Sequence, residues 1–263
     1  MTNSAGSRVE RRARGGPQGE AQEAPRKLRA LIFDVDGTLA DTEEAHRCAF
    51  NEAFQQLELQ WTWSKSLYAH LLLVAGGKER LAAYIESLDV GPAERQALLD
   101  RIDAIHRAKT ENYTRKLRAG EVPLRAGVAR LIGDAVQSRV GLSIASTTTF
   151  ANIDALLRAA LGPAAIDRFT VVGAGDQAAR KKPAPDIYEY VLRQLKASPE
   201  ECIAIEDSAN GLRAAKAAGL YTVVTPSYWT YTEDFSAADM VLPSLDSLLG
   251  IRELERQLTR GTH

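Results

Sequence analysis

No apolar run in the 263 residues approaches the roughly 18 residues a membrane span requires. The first residues also lack the apolar core of a secretory signal. Cysteine is scarce: Cys48 and Cys202 are the only two, too few for a disulfide scaffold and suited to a reducing compartment. Net charge is nearly missing as well, with a formal balance of −1, so no overall field draws the molecule to nucleic acid. These gaps argue against a membrane protein, a disulfide-stapled secreted module and a basic nucleic-acid binder. The expectation is a monomer with neither nucleic acid nor membrane as partner. It is placed in the cytoplasm, with a plastid the alternative if the N-terminal segment is a targeting sequence.

What is present is an ordinary globular mixture, 45% hydrophobic and 25% charged, enough to bury a sizeable core. Its distribution is uneven. Residues 1–27 carry almost no large apolar side chain, so they cannot offset the entropy of ordering and read as a disordered basic tail. Arg11, Arg12 and Arg14 offer at most a weak nucleic-acid contact, and Glu10, Glu20 and Glu23 argue against a transit peptide.

Beyond the tail the pattern changes abruptly. Leu28 to Val35 is a short apolar run ending in Asp-Gly, the mark of a buried strand feeding a tight turn. Similar runs follow at 140–145, 169–172, 202–205 and 221–225, with a shorter one at 240–242. Helical patterns over 124–138, 150–160, 185–196, 208–218 and 244–258 separate or follow them. Continuous apolar strands alternating with helices predict an α/β fold: a Rossmann-like parallel sheet with helices on both faces. Residues 42–118 break the alternation. They hold no convincing strand, and Leu98, Ile102 and Ile105 recur at helical spacing. The stretch reads as a helical cap domain, residues 42–118, inserted after the first strand of a core made of 28–41 and 119–263. Ligands in such sheets bind beyond the carboxyl ends of the strands, and a cap planted there would cover the crevice.

The chemistry-bearing residues sit at those ends. Asp34 and Asp36 flank Val35 directly after the first strand. Two carboxylates so close repel each other unless a cation lies between them, and Mg²⁺ prefers oxygen donors of this kind. An Asx-type turn broken by Gly37 is the plainer reading of that segment alone. The strand at 202–205 runs into Glu206 and Asp207, and the strand at 140–145 ends in Ser146 and Thr147. Hydroxyls and backbone N–H groups at a helix start make an anion site. Lys182, just before Pro183, can neutralise phosphate charge. Singly these could be a helix cap, a charged loop and a solvated lysine; together they converge on one crevice.

The set DVDGT at 34–38, Ser146 after SIA, Lys182 in KKPAPDIY and EDS at 206–208 resembles the four motifs of the haloacid dehalogenase-like hydrolases, in order and over about 28–245. That resemblance implies Asp34 as the nucleophile of a phosphoaspartyl intermediate and Asp36 as general acid and base. It implies Ser146, Thr147 and Lys182 as phosphate-binding residues. Mg²⁺ would be held by Asp34, the main-chain carbonyl of Asp36, Asp207 and Glu206. The acid at position 36 favours phosphate transfer over dehalogenation. ADTEEAHRCAFNEAF, AGGKER, IHRAKTE and EDSANGLRAAKAAGL are similar to the CbbY-type subgroup, which implies a sugar bisphosphate, xylulose 1,5-bisphosphate, as substrate. A β-phosphoglucomutase-like activity and phosphoglycolate hydrolysis are the alternatives, and a non-catalytic binding protein is a remote one. On this reading His46, Gly76, Gly77, Lys78 and Arg80 contact the substrate from the cap, with Lys78 or Arg80 meeting a second phosphate.

Overall fold

The computed structural model describes Met1 and residues 27–74, 76–175 and 177–260. The expected disordered tail, with Arg11, Arg12 and Arg14, therefore falls almost wholly outside the described residues.

Six strands form one parallel sheet: β1 (Ala30–Phe33), β2 (Gly141–Ala145), β3 (Phe169–Gly173), β4 (Cys202–Glu206), β5 (Tyr221–Val224) and β6 (Met240–Val241). Their spatial order is β3-β2-β1-β4-β5-β6, so the chain reverses its direction of travel across the sheet at β1. The central strands β1, β2 and β4 are largely apolar because both faces are covered. Leu31 and Phe33 point to one face, where α6 (Val128–Gln137), α7 (Phe150–Leu161) and α10 (Ile251–Arg260) pack. Ala30 and Ile32 point to the other, beneath α8 (Asp186–Leu195) and α9 (Ala209–Ala217). The twofold alternation along a single strand builds both layers.

Between β1 and α6 the chain makes α1 (Thr42–Gln56), α2 (Lys65–Leu71), α3 (Gly77–Glu86), α4 (Pro92–Leu99) and α5 (Ile102–Arg118). These helices enclose an apolar cluster of their own, with Phe50, Phe54, Trp63, Tyr68, Leu71, Leu81 and Ile105. Aromatic rings dominate it: Trp63 meets Phe50 at 4.6 Å and Phe54 at 5.0 Å between centroids. Ala49 of α1 and Tyr113 and Leu117 of α5 belong instead to the cluster beneath the sheet.

Two expected helices are divided. Leu98 and Ile102 share a face only across a turn at Asp100 and Arg101, because the apolar period carries through the break between α4 and α5. The segment 244–258 splits into a single 3-10 turn at Leu245–Ser247 and α10. Gly250, at φ +120°, makes the turn between them in a conformation open chiefly to glycine.

Candidate active site

The order of the strands brings the acids together. Phe33 is in register with Ile144 of β2 and Ile205 of β4, so the residues that close or follow β1, β2 and β4 lie side by side at one edge. These are Asp34, Ser146 and Glu206 with Asp207. The Asp34 N–H continues the ladder to the Ile205 carbonyl at 3.0 Å.

Lys182 reaches that edge from the segment before α8. Its Nζ lies 2.6 Å from Asp34 Oδ1 and 2.6 Å from Glu206 Oε1, with 7% of the side chain exposed. Tyr188 donates its hydroxyl to the same Glu206 oxygen at 2.6 Å, and its ring lies 5.0 Å from the ammonium. Burial alone would lower the lysine pKa, but the two carboxylates outweigh burial and hold it above its ordinary value. Glu206 and Asp207 are pushed up by burial first, then by Asp34 and, for Asp207, by Glu206. Asp36 rises to about 7 for the same two reasons, burial and then Asp34, with Thr42 opposing by donating its hydroxyl at 2.7 Å.

Asp34, Glu206 and Asp207 each present a carboxylate oxygen within 4.8 Å of the others, and all three are buried. One lysine cannot balance three buried carboxylates, so the set is short of positive charge. All-oxygen donors at this spacing fit a hard divalent cation such as Mg²⁺. The backbone leaves room for it to be so tight. A side chain on Gly37 would overlap the Asp207 carboxylate, and one on Gly211 would overlap that of Glu206.

Asp34, Asp36, Thr147, Lys182 and Asp207 line a crevice of about 370 Å³, together with Glu43, Leu72, Trp229 and Thr230. Ser146 sits just beneath, 1% exposed, its Oγ accepting the Thr148 N–H at 3.2 Å. The helix cap belongs to Thr149, which accepts from Asn152. A larger concavity, about 600 Å³ on the outer side of α5, holds Arg115, Arg118 and Glu111 without any such convergence. The crevice at the strand ends is the site the chemistry selects.

None of the five residues expected from the helical layer, His46, Gly76, Gly77, Lys78 and Arg80, is among those that line this crevice. His46 lies 2.9 Å from Lys109 through Nδ1 and stacks on Tyr113 at 3.8 Å. Burial, then Lys109, holds its pKa well below the usual histidine value, so the ring is neutral and accepts from the lysine. Gly76 and Gly77 open α3, and His106 packs where a Gly77 side chain would be. Arg80 donates to the Tyr68 hydroxyl and to the Leu71 and Val74 carbonyls. Lys78 does not face the crevice. Its Nζ pairs with Asp103 at 2.6 Å on a side chain 54% exposed, because α3 turns that position toward α5.

Four residues with a part in this architecture carried no sequence signal. Arg125 donates to the carbonyls of Gly37, Thr225 (2.7 Å) and Pro226 (2.8 Å). Thr230 donates to Asp207 at 3.2 Å, Tyr68 to Glu43 at 2.9 Å, and Trp229 to Asp41 at 2.9 Å. Partners so far away in the sequence, carbonyls for Arg125 and carboxylates for the other three, leave no motif. Lys109 differs, since it falls in IHRAKTE, one of the segments similar to the CbbY-type subgroup.

Residues 28–219 match the family described as haloacid dehalogenase-like hydrolase. The chain belongs to that family. Within it, the chain is similar to Protein CbbY of Cereibacter sphaeroides, 46% identical over 228 residues that cover 87% of this chain and 97% of that protein. The plasmid-borne Protein CbbY of Cupriavidus necator is 51% identical, covering 83% of this chain and 86% of that one. A crystal structure of CbbY from Rhodobacter sphaeroides in complex with phosphate superposes with a TM-score of 0.74 at 46% identity, covering 87% and 99% of the two chains. A mutant of the same protein, solved in complex with xylulose-(1,5)bisphosphate, gives 0.73 at 45%, covering 86% and 99%. The β-phosphoglucomutase of Bacillus subtilis is more distant, 28% identical over 205 residues.

Proposed function

We propose that this hydrolase is a Mg²⁺-dependent sugar-phosphate phosphatase that converts xylulose 1,5-bisphosphate and water to xylulose 5-phosphate and phosphate. The observation that carries the reading is the convergence of Asp34, Asp36, Lys182, Glu206 and Asp207 at the ends of adjoining strands in one crevice. Similarity to a protein solved with that bisphosphate points to the substrate.

In this reading Asp34 attacks the phosphorus, and the bond to the sugar oxygen breaks. Asp36, whose pKa near 7 leaves it able to carry a proton at neutral pH, gives that proton to the departing oxygen. It then takes one from the water that cleaves the phosphoaspartate, which frees phosphate and restores Asp34. Lys182 orients Asp34 and neutralises phosphoryl charge, while Ser146 and Thr147 hold the remaining phosphoryl oxygens. Asp34, Glu206, Asp207 and the main-chain carbonyl of Asp36 would bind Mg²⁺, which supplies the charge that lets a carboxylate approach a phosphate dianion. Residues 42–118 serve as the cap over a core of 28–41 and 119–263. His46, Gly76, Gly77 and Arg80 shape the pocket for the far end of the sugar.

Phosphate release from xylulose 1,5-bisphosphate and from β-glucose 1-phosphate, each with Mg²⁺ and with EDTA, tests the proposal. Fast Mg²⁺-dependent release from the bisphosphate, abolished by Asp34→Asn, is the expected result. Glucose 6-phosphate formed without phosphate release would replace the phosphatase with a mutase.

A further inference from the structure

The loop after β5 carries an aromatic run, Tyr228, Trp229 and Tyr231, that takes no part in the phosphatase reaction. The two tyrosines are exposed. Trp229 is part-buried and packs against the apolar cluster of α1–α5, although it belongs to the sheet side of the molecule.

Trp229 makes one contact at the edge of that division and one across it. Its Nε1 donates to Asp41 Oδ1 at 2.9 Å, at the residue where the chain leaves the core to enter α1. Its ring meets Tyr68 of α2 edge-on, with centroids 5.5 Å apart and planes at 85°, a favoured arrangement for two aromatic rings. Tyr68 in turn donates to Glu43 and accepts from Arg80 at 3.0 Å, and Arg80 grips the carbonyls that lead into the Gly76-Gly77 turn. Beside it, Lys65 of α2 lies 5.1 Å from the Tyr228 ring.

The loop that presents Trp229 is braced from below. Ser227 donates its N–H to Thr230 Oγ1 at 2.9 Å, the Trp229 N–H reaches Ser227 Oγ at 3.3 Å, and Thr230 is anchored on Asp207. A ring on a braced turn is a fixed abutment, and the short helix α2 meets it through the buried Tyr68. Any swing of α1–α5 about Asp41 must part the Trp229 and Tyr68 rings, while the indole hydrogen bond ties Trp229 to the pivot itself.

We propose that Trp229 is a positioning residue for substrate specificity: a latch that fixes α2 and the α2–α3 turn over the crevice. Without it the helical layer no longer holds the register in which Glu43 and Leu72 line the crevice. The part of the substrate far from Asp34 then loses its seat, while the strand-end carboxylates keep theirs.

The test compares wild type, Trp229→Phe and Trp229→Ala by amide hydrogen exchange and by steady-state kinetics with xylulose 1,5-bisphosphate. The kinetic arm rests on the phosphatase reading; the exchange arm does not, so the two can fail separately. In Trp229→Ala, residues 65–74 should exchange about threefold faster or more, with β1 and β4 unchanged, as expected for local rather than global opening. KM should rise about tenfold with kcat changed far less. Trp229→Phe keeps a ring against Tyr68 and should fall between the two. Unchanged exchange at 65–74 overturns the latch. Faster exchange throughout the core, with apparent kcat falling and KM unchanged, also overturns it, since fewer folded molecules would then account for the loss.

Discussion

Lys109 is an ammonium 9% exposed, with no carboxylate within ion-pair distance among the described residues. Its companions are a neutral histidine and the faces of Phe50 and Tyr113 at 5.0 and 5.3 Å. Burial lowers its pKa to about 8, with Glu43 opposing and Arg80 assisting. A pKa depressed in the fold means the unfolded chain holds the proton more tightly, so this lysine costs stability wherever it is charged. Lys109→Met should therefore stabilise the protein at pH 7 by about 2 kcal/mol, some of the gain being lost with the cation–π contacts. The advantage should shrink as pH rises from about 8 towards the ordinary lysine value, because wild type sheds the buried charge over that window. Urea unfolding of both proteins at pH 7 and pH 9.5 measures the difference; an equal gap at the two pH values would contradict it. Lys78 is the opposite case. Its pair with Asp103 is exposed and screened by solvent, and it lies away from the crevice, so Lys78→Ala should leave KM for the bisphosphate within about twofold. A larger rise would mean the side chain leaves Asp103 for the substrate.

At the scale of elements, the site depends on three loops that leave different strands and must hold one spacing. Arg125, in the segment that returns from α5 to α6, ties the loop after β1 to the loop after β5 through the Gly37, Thr225 and Pro226 carbonyls. Its own N–H bonds to Leu39. Replacing it by Ala leaves those carbonyls without their charged donor, at a cost of about 2–3 kcal/mol. Because Gly37 packs on the Asp207 carboxylate, Arg125→Ala should also weaken Mg²⁺ binding. Calorimetric titration of Mg²⁺ beside thermal unfolding checks both effects, and a lowered Tm with unaltered Mg²⁺ affinity would confine Arg125 to stability. Sequence pattern fails here for a physical reason. An arginine that bonds carbonyls has no side-chain partner whose spacing could announce it. The same holds for Trp229 on Asp41, brought together from 188 residues apart. The strand ends were readable because a continuous apolar run must be buried, and acids closing such a run must face a cation or solvent. The turn between α4 and α5 was not, because its apolar spacing mimics an unbroken helix.

For the molecule as a whole, the acidic site is a strain that the proposed Mg²⁺ would relieve. Without a cation, Asp36, Glu206 and Asp207 all have raised pKa values, chiefly through burial. The folded state then binds protons more tightly than the unfolded chain. That stabilisation is complete below the ordinary carboxylate pKa and is lost as pH rises through the folded values, about 7 for Asp36. In EDTA, Tm should fall as pH is raised from about 5 to 8. With Mg²⁺ present the ionised carboxylates are paired, so the decline should flatten. At Mg²⁺ about one hundred times Kd, the linkage adds about 2.7 kcal/mol. Lys182 stays charged across this range because its pKa is raised, so it sets no slope of its own. The Asp207→Asn protein separates the site from the rest of the fold: removing one buried carboxylate should lift Tm in EDTA at pH 8 and abolish most of the gain from Mg²⁺. If Mg²⁺ raises the Tm of Asp207→Asn as much as that of wild type, the cation stabilises the protein elsewhere. The three carboxylates at the strand ends would then not be its site.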